Sequence, residues 1–157
     1  MTTSHPDRST TAALWSGLAG SLVLTLIHET ARRTLPDAPR MDTYGRRVLA
    51  RSLEAVGLEP PPRDTAQAIA LVGDLVANGL WYSLVGTRPA AANPLLAGAL
   101  LGTAAGLTSI VIPPKLGLGK RPRGVTVRTK AMTLGWYLAG GLAAGLAYRQ
   151  LRRPRTV

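Results

Sequence analysis

The chain has 157 residues, a formal net charge of +11 and neither cysteine nor phenylalanine. The lack of cysteine excludes a disulfide framework and thiolate chemistry. Although 46% of the residues are apolar, they gather in long blocks with nearly all charge between them. This pattern argues against a soluble domain, whose helices each need one wet face. The positive charge fits either nucleic acid or an anionic membrane surface, and the apolar blocks favour the membrane, so we expect no nucleic-acid partner.

Four apolar blocks follow one another along the chain and predict a bundle of about four transmembrane helices. We place these spans at about residues 11–29, 66–86, 93–112 and 131–148. The first block runs directly into His28 and charged residues without a small-residue cleavage site, which favours an uncleaved span over a signal peptide. The predicted fold class is an all-α membrane protein, with one helical domain (11–149) between a disordered N-terminal tail (1–10) and a basic C-terminal tail (150–157).

The second and third blocks differ in how clearly they are bounded. Pro94 fits a helix start, and Pro113 with Pro114 fits a helix stop. Asp74 and Asn78 interrupt the second block, so three spans remain an alternative at this point. If both blocks span the membrane, the short link between them makes them an antiparallel hairpin.

Positive charge predicts how the helices are oriented in the membrane. The links at residues 30–65 and 113–130 carry most of the 19 lysines and arginines. With four spans, both links therefore face the cytoplasm and both termini face out. The basic C-terminal tail conflicts with this orientation, because such a tail is expected inside. The predicted location is the bacterial inner membrane, as a multi-pass protein.

The first long link contains a predicted amphipathic helix at about residues 43–57. Its apolar residues recur at helical spacing and its arginines lie on other faces, a pattern typical of a helix on a membrane surface. Thr43 or Asp42 could cap its start, and Gly57 could end it. A helix packed on the protein's own soluble face is the alternative. Cationic residues of this helix and of the second long link are expected to contact anionic lipid headgroups: Arg46, Arg47, Arg51, Lys120, Arg121 and Arg123.

Small residues recur at a spacing of four in three of the predicted spans. Because residues four apart share one helix face, such stripes let two helices approach closely in lipid. The helix-packing residues predicted in this way are Gly17, Ser21, Gly98, Gly102, Gly106, Gly141 and Gly145. The pattern leaves open whether the packing lies within one chain or between copies in a homo-oligomer.

Aromatic residues lie mostly near the ends of the blocks. Tryptophan and tyrosine rings favour the headgroup level of a membrane, so this distribution predicts an interfacial belt. Its members are Trp15, Trp81, Tyr82, Trp136, Tyr137 and Tyr148.

Asp74 is the most informative single residue, because it lies near the middle of the second block. A carboxylate buried there costs at least ~2.5–3.5 kcal/mol, so it should face the bundle and have a partner. The candidate intramembrane polar site comprises Asp74, Asn78, His28 and Thr25, with Thr103, Thr108 and Ser109 of the third block completing a pocket. Two interpretations are open. The site either binds a proton, an ion or a substrate, with Asp74 and His28 as a proton-responsive pair, or it only cross-links helices.

Motifs of known enzymes are incomplete in this chain. His28 and Glu29 begin like the zinc-protease motif His-Glu-x-x-His, but Arg32 stands where the second histidine is needed. We expect Glu29 to form an ion pair with Arg32 or Arg33 instead. The basic stretch at residues 115–124 lacks the spacing of a phosphate-binding loop. We therefore predict no catalytic residue, no metal site and no cofactor.

Three segments resemble a family of small multi-span bacterial membrane proteins. They are HETARRTLPDAPRMD (28–42), GDLVANGLWYSLVG (73–86) and WYLAGGLAAG (136–145). The resemblance covers most of the chain. It implies a small bacterial membrane protein and carries no particular function with it.

Three functional hypotheses follow from the sequence. The favoured one is a non-enzymatic helix bundle that assembles with itself or serves as an accessory subunit of a larger membrane complex. The second is a small channel or transporter with a proton-responsive site at Asp74 and His28. The third, a membrane-embedded enzyme acting on lipid or quinone, lacks a complete catalytic constellation.

Overall fold

The structure is a computed structural model that describes residues 8–36, 38–39, 41–115 and 126–153. Within these ranges the chain is helical and contains no strand. The helices are α1 (Arg8–Thr34), α2 (Met41–Ala55), α3 (Arg63–Ser83), α4 (Pro94–Lys115) and α5 (Val127–Leu151), with short 3₁₀ turns at Leu84–Gly86 and Ala90–Ala92 between α3 and α4. Most of the predicted N-terminal tail, the end of the C-terminal tail and the predicted headgroup contacts Lys120, Arg121 and Arg123 lie outside the described residues.

Three of the helices are long and apolar enough to cross a membrane. These segments are Ser9–Thr34, Arg63–Gly86 and Pro94–Lys115. The second predicted span is thus among them despite Asp74, whereas α5, which contains the fourth predicted span, is not. Glycine, threonine and aromatic residues lower the mean hydropathy of α5. The residues buried in α5 belong mainly to these types: Thr129, Thr133, Tyr137, Gly140, Gly141, Ala144, Gly145 and Tyr148.

The four long helices contact one another mainly in the order α3, α1, α5, α4. Each neighbouring pair is antiparallel. Gly17 and Ser21 of α1 lie against Gly79 and Leu75 of α3, and Gly98 and Gly102 of α4 lie against Gly141 and Tyr137 of α5. Likewise, Gly20 of α1 faces Gly140 of α5, and His28 faces Trp136. Both α1 and α5 are therefore inner helices, flanked on two sides.

The short link between α3 and α4 does not make these helices close packing partners. Their main neighbours are α1 and α5, respectively. A direct contact remains where the indole N–H of Trp81 donates to the carbonyl oxygen of Leu101, at 3.0 Å. The predicted hairpin is thus present in connectivity, but its two arms bury their surfaces on other helices, because α1 and α5 carry the small residues that permit close approach.

The stripes of small residues bring backbones together inside one chain. A Cβ atom added to Gly98 would collide with the carbonyl oxygen of Gly141, and one added to Gly141 would collide with that of Gly98. On the other side of the bundle, a Cβ on Gly17 would meet the carbonyl oxygen of Gly79. Only glycine allows contacts this close, and van der Waals attraction between the backbones then holds the helices together.

Local signals explain most helix ends. At the end of α2, Gly57 has a φ of 77°, and the N–H groups of Leu58 and Gly57 donate to the carbonyls of Leu53 and Glu54 at 2.9 and 3.1 Å. This is a Schellman cap, and its left-handed residue requires glycine. The predicted stop before Pro113 is wrong, because α4 continues through both prolines to Lys115. Proline has a φ compatible with a helix but no N–H group, so the last turn of α4 forms without two of its hydrogen-bond donors.

Tyrosines of the predicted aromatic belt are buried between helices instead. Tyr82, Tyr137 and Tyr148 are at most 3% exposed, whereas Trp15 is 61% exposed. The hydroxyl of Tyr82 donates to the carbonyl oxygen of Tyr137 at 2.8 Å. Because its polar end is satisfied within the bundle, Tyr82 needs no contact with headgroups. Together with Leu24 and Ala144, Tyr82 and Tyr137 form the core between α1, α3 and α5.

Candidate functional site

A cavity of about 410 Å³ lies between α1, α2 and α3. It begins one helical turn beyond the close contacts of α1 with α3. Gly17 touches the α3 backbone, and one turn further the Ser21 hydroxyl donates to the carbonyl oxygen of Leu75 at 2.8 Å. Thr25, on the next turn of α1, lines the cavity. The small residues that hold α1 against α3 thus end at the level of the cavity, and α2 covers the gap that remains.

Helix α2 is held to α3 at the edge of the cavity. A Cβ on Gly45 would lie 3.1 Å from the Cβ of Ala70, and Arg46 Nη1 donates to Gln67 Oε1 at 2.8 Å. Behind these contacts, Val48 and Leu49 line the cavity. The apolar stripe of α2 therefore faces the protein at least in part. This matches the alternative left open for this helix, and its position relative to a membrane surface stays a prediction.

A charged pair on α1 lies at the end of the cavity nearest Gln67. Arg32 donates to both carboxylate oxygens of Glu29, at 2.7 and 2.5 Å, and Arg33 Nη2 lies 3.4 Å from Glu29 Oε2. The expected ion pair is thus present, on successive turns of one helix. Glu29 and Arg32 both line the cavity, so this end of the wall is charged but balanced.

Asp74 also lines the cavity, from the middle of α3. Asn78 Nδ2 donates to Asp74 Oδ1 at 3.0 Å and to the Asp74 carbonyl oxygen at 2.9 Å. Both bonds stay within α3, because the two residues are one turn apart. The interpretation of this pair as a cross-link between helices therefore finds no support in its hydrogen bonds. Asn78, which is 9% exposed, orients the Asp74 carboxylate from the next turn of α3.

His28 forms the boundary between the cavity and α5. Its side chain is 7% exposed, and its ring meets the rings of Trp136 and Tyr137 edge-on, with centroids 5.2 and 5.7 Å apart. Its Nε2 atom and the Oγ1 atom of Thr25 are buried without a hydrogen-bond partner in the described part of the chain. Both residues line the cavity. Unsatisfied buried polar atoms are uncommon and call for a specific explanation.

The structure brings together part of the predicted polar site. Thr25, His28 and Asp74 line one cavity, with Asn78 behind Asp74. Within the described ranges no hydrogen bond or ion pair joins His28 to Asp74, so they share a space rather than form a bonded pair. The residues expected from the third block, Thr103, Thr108 and Ser109, do not line the cavity, because α4 lies on the far side of α5.

The sequence did not predict the part that α2 contributes to this site. Tyr44, Val48 and Leu49 repeat at helical spacing, a pattern that favours lipid contact when the helix is considered alone. An apolar stripe fits lipid and protein equally well, so the pattern could not distinguish them. Nor does the sequence predict the contact of Trp136 with His28, since no periodicity relates α1 to α5.

The cavity suits binding better than it suits metal chemistry. Its wall is mostly apolar and includes a few polar and charged side chains, which is the usual composition of a site for a small organic ligand. Among the described residues, no three histidine, aspartate or glutamate side chains cluster as metal ligands.

Comparison with known proteins adds no relative from which a function could be transferred. No family model, no curated protein and no solved structure matches the chain. The candidate function therefore rests on the helices and the cavity themselves: this is an all-helical chain with three helices able to span a membrane and a buried polar site between α1, α2 and α3.

Proposed function

We propose that the chain is a four-span, multi-pass membrane protein that binds a small, mainly apolar ligand between α1, α2 and α3. The packing of α5 supports the fourth span. This helix lies between α1 and α4, antiparallel to both, and its glycines and tyrosines face them. A helix in this position crosses the same thickness of membrane as its neighbours. Its low hydropathy is compatible with spanning, because its polar groups face protein rather than lipid.

The orientation follows from the same arrangement. Four antiparallel spans leave the link before α3 and the link before α5 on one side, and these links are rich in arginine and lysine. The positive-inside rule then assigns that side to the cytoplasm of a bacterial inner membrane. On that side, we expect the arginines of α2 to lie near anionic headgroups.

Single-cysteine variants test this topology without background, because the chain has no cysteine of its own. Glu59→Cys, Thr87→Cys and Arg153→Cys place one thiol in each exposed connection or end. In intact cells, a membrane-impermeant maleimide should label the thiols at positions 87 and 153 but reach the thiol at position 59 only after permeabilisation. Labelling at position 153 that requires permeabilisation, as at position 59, would mean that α5 does not span.

The observation that carries the binding function is a mostly apolar cavity with the Asp74 carboxylate in its wall, bonded only to a neutral amide among the described residues. A ligand with a polar end would bind that carboxylate while its body covers the apolar wall. Such binding is also the first step of transport, the role predicted for Asp74 and His28. Assembly with other chains has less support, because the glycines expected to drive it pack against each other within this chain.

Filling the cavity tests the binding function. Gly73 lines the cavity, and a Cβ there would meet nothing within 4 Å. Gly135 on α5 is equally open but does not line the cavity, so it supplies a matched control. The probe is 1-naphthaleneethanol, a neutral fluorophore, titrated into the protein in detergent. We expect saturable binding by the wild type and Gly135→Phe, and an affinity at least about tenfold lower for Gly73→Phe.

Two results would contradict the binding function. One is the absence of saturable binding by the wild type above the background of protein-free micelles. The other is equal binding by Gly73→Phe and Gly135→Phe, which would place the probe elsewhere on the protein. Thermal unfolding of both variants serves as the folding control.

A further inference from the structure

The charges of the cavity wall are not balanced along its length. At one end, Glu29 and Arg32 neutralise each other through two hydrogen bonds. Elsewhere in the wall, the carboxylate of Asp74 accepts a hydrogen bond from the neutral amide of Asn78 and has no cationic partner among the described side chains. An intramembrane carboxylate normally has a partner, because its charge is poorly solvated there. A cationic ligand could supply that partner.

Asp74 is also the hydrogen-bond acceptor that the cavity offers to a ligand. Its Oδ1 atom accepts from Asn78, and its Oδ2 atom accepts no hydrogen bond from the described residues. The unpartnered atoms of Thr25 and His28 have almost no accessible surface, so a ligand in the cavity does not reach them. A carboxylate with an unused oxygen matches a group that carries positive charge and N–H donors. A protonated amine has both, whereas carboxylates and phosphates have only acceptors.

The rest of the wall favours an apolar body on such a ligand. Val48, Leu49, Ile69 and Leu71 supply most of its apolar side chains, and Tyr44 adds an aromatic ring. Aliphatic walls gain free energy by covering apolar surface, and an aromatic ring attracts a cation. The volume of about 410 Å³ lies in the range of sites for small organic molecules.

We propose that the ligand of this cavity is a lipophilic amine in its protonated form, with its ammonium group held by Asp74. This inference rests on the proposed binding function and specifies the class of ligand. The ammonium ion neutralises Asp74 and donates to its carboxylate, while the apolar body fills the space beneath α2. A neutral molecule of the same shape would leave the carboxylate uncompensated, and an anion would be repelled by it.

Three probes of one shape separate these classes: 2-(1-naphthyl)ethylamine, 1-naphthaleneethanol and 1-naphthylacetate. They share the naphthalene fluorophore and differ in the group that would reach Asp74. The variants are Asp74→Asn, which keeps the size of the side chain, and Asp64→Asn, a control in the exposed first turn of α3. Binding is measured by fluorescence titration in detergent at pH 7, with Gly73→Phe as the background.

We expect the wild type and Asp64→Asn to bind the amine at least about tenfold more tightly than the alcohol, since hydrogen bonds to charged groups are the stronger ones. In Asp74→Asn this preference should fall to about threefold or less.

The outcomes distinguish this inference from the function on which it rests. Equal binding of amine and alcohol by the wild type, or tighter binding of the acetate, overturns the amine assignment and leaves the cavity as a binding site. Unchanged amine preference in Asp74→Asn also overturns it. Binding of no probe above the Gly73→Phe background contradicts the binding function itself.

Discussion

The two sides of α1 pack in different ways. Toward α5 and then α4, the helices meet backbone to backbone, with glycines opposite glycines at Gly20–Gly140 and Gly98–Gly141. Toward α3, Gly17 and Ser21 lie against the α3 backbone, and one turn further Thr25 lines the cavity under α2. We call the glycine contacts that join α1, α5 and α4 the tight side, and the contact of α1 with α3, which contains the cavity, the loose side.

The difference shows what small residues accomplish in a membrane. No hydrophobic effect drives two helices together in lipid, so close approach depends on backbones that can touch. Where α1 has Gly17 and Ser21, it approaches α3. Where it has Thr25, a larger polar side chain lines the cavity instead. The cavity therefore begins where the small residues of α1 stop.

The largest expected effect comes from adding a methyl group to the tight side. Gly98→Ala and Gly141→Ala should each lower the free energy of unfolding by about 2–3 kcal/mol, because the new Cβ collides with backbone atoms that cannot move aside. Unfolding is measured by titrating the solubilised protein with sodium dodecyl sulfate. The control is Gly73→Ala on the loose side, which should be neutral or stabilising by up to about 1 kcal/mol. An equal loss of unfolding free energy in Gly73→Ala and in the two tight-side variants would contradict the difference in packing between the two sides.

A second change tests whether Asp74, on the loose side, lowers the stability of the protein. Asp74→Asn should raise the free energy of unfolding by about 1–2 kcal/mol, because it removes a charge from the membrane interior and keeps a polar side chain beside Asn78. The same detergent titration measures it, with Asp64→Asn as the exposed control. A clear loss of stability would show that Asp74 is a structural residue.

A smaller effect is expected at a hydrogen bond that joins the two sides. Tyr82→Phe removes the bond from the Tyr82 hydroxyl to the Tyr137 carbonyl, which connects α3 to α5. The expected loss is about 1 kcal/mol, the usual net contribution of such a bond. Tyr148→Phe is the control, since this tyrosine is equally buried but packs mainly through its ring. If both variants lose the same amount, the hydroxyl bond contributes nothing.

The smallest effect concerns only the helix over the cavity. Gly57→Ala places a side chain on a residue with positive φ at the end of α2, at a cost of about 1 kcal/mol that is confined to the helix end. Amide hydrogens near Leu53 and Leu58 should exchange faster, while those of α5 stay unchanged. Hydrogen exchange followed by mass spectrometry measures both. Faster exchange in α5 as well would mean that α2 and the tight side unfold together.

Much of the fold is evident in the sequence because the signals are local. Long apolar blocks predict the helices, and Pro94 and Gly57 mark a start and an end that the structure has. The prolines at 113 and 114 are misleading, since their φ is compatible with a helix and α4 ends one residue after them. Asp74 is misleading as a sign of a weak span. One aspartate lowers the mean hydropathy of a long helix less than the four glycines, two tyrosines and the tryptophan of α5 do together.

The sequence by itself determined that the chain is helical, which segments are apolar enough for a membrane, and that Asp74 is an unusual residue within one of them. It could not determine which helices touch, because periodicity describes one helix at a time. Tertiary structure alone decided that α3 packs on α1 rather than on α4, that Tyr82 and Tyr137 are buried, and that α2 covers a cavity. The physical reason is that these features depend on where two backbones can approach and where a larger side chain keeps them apart.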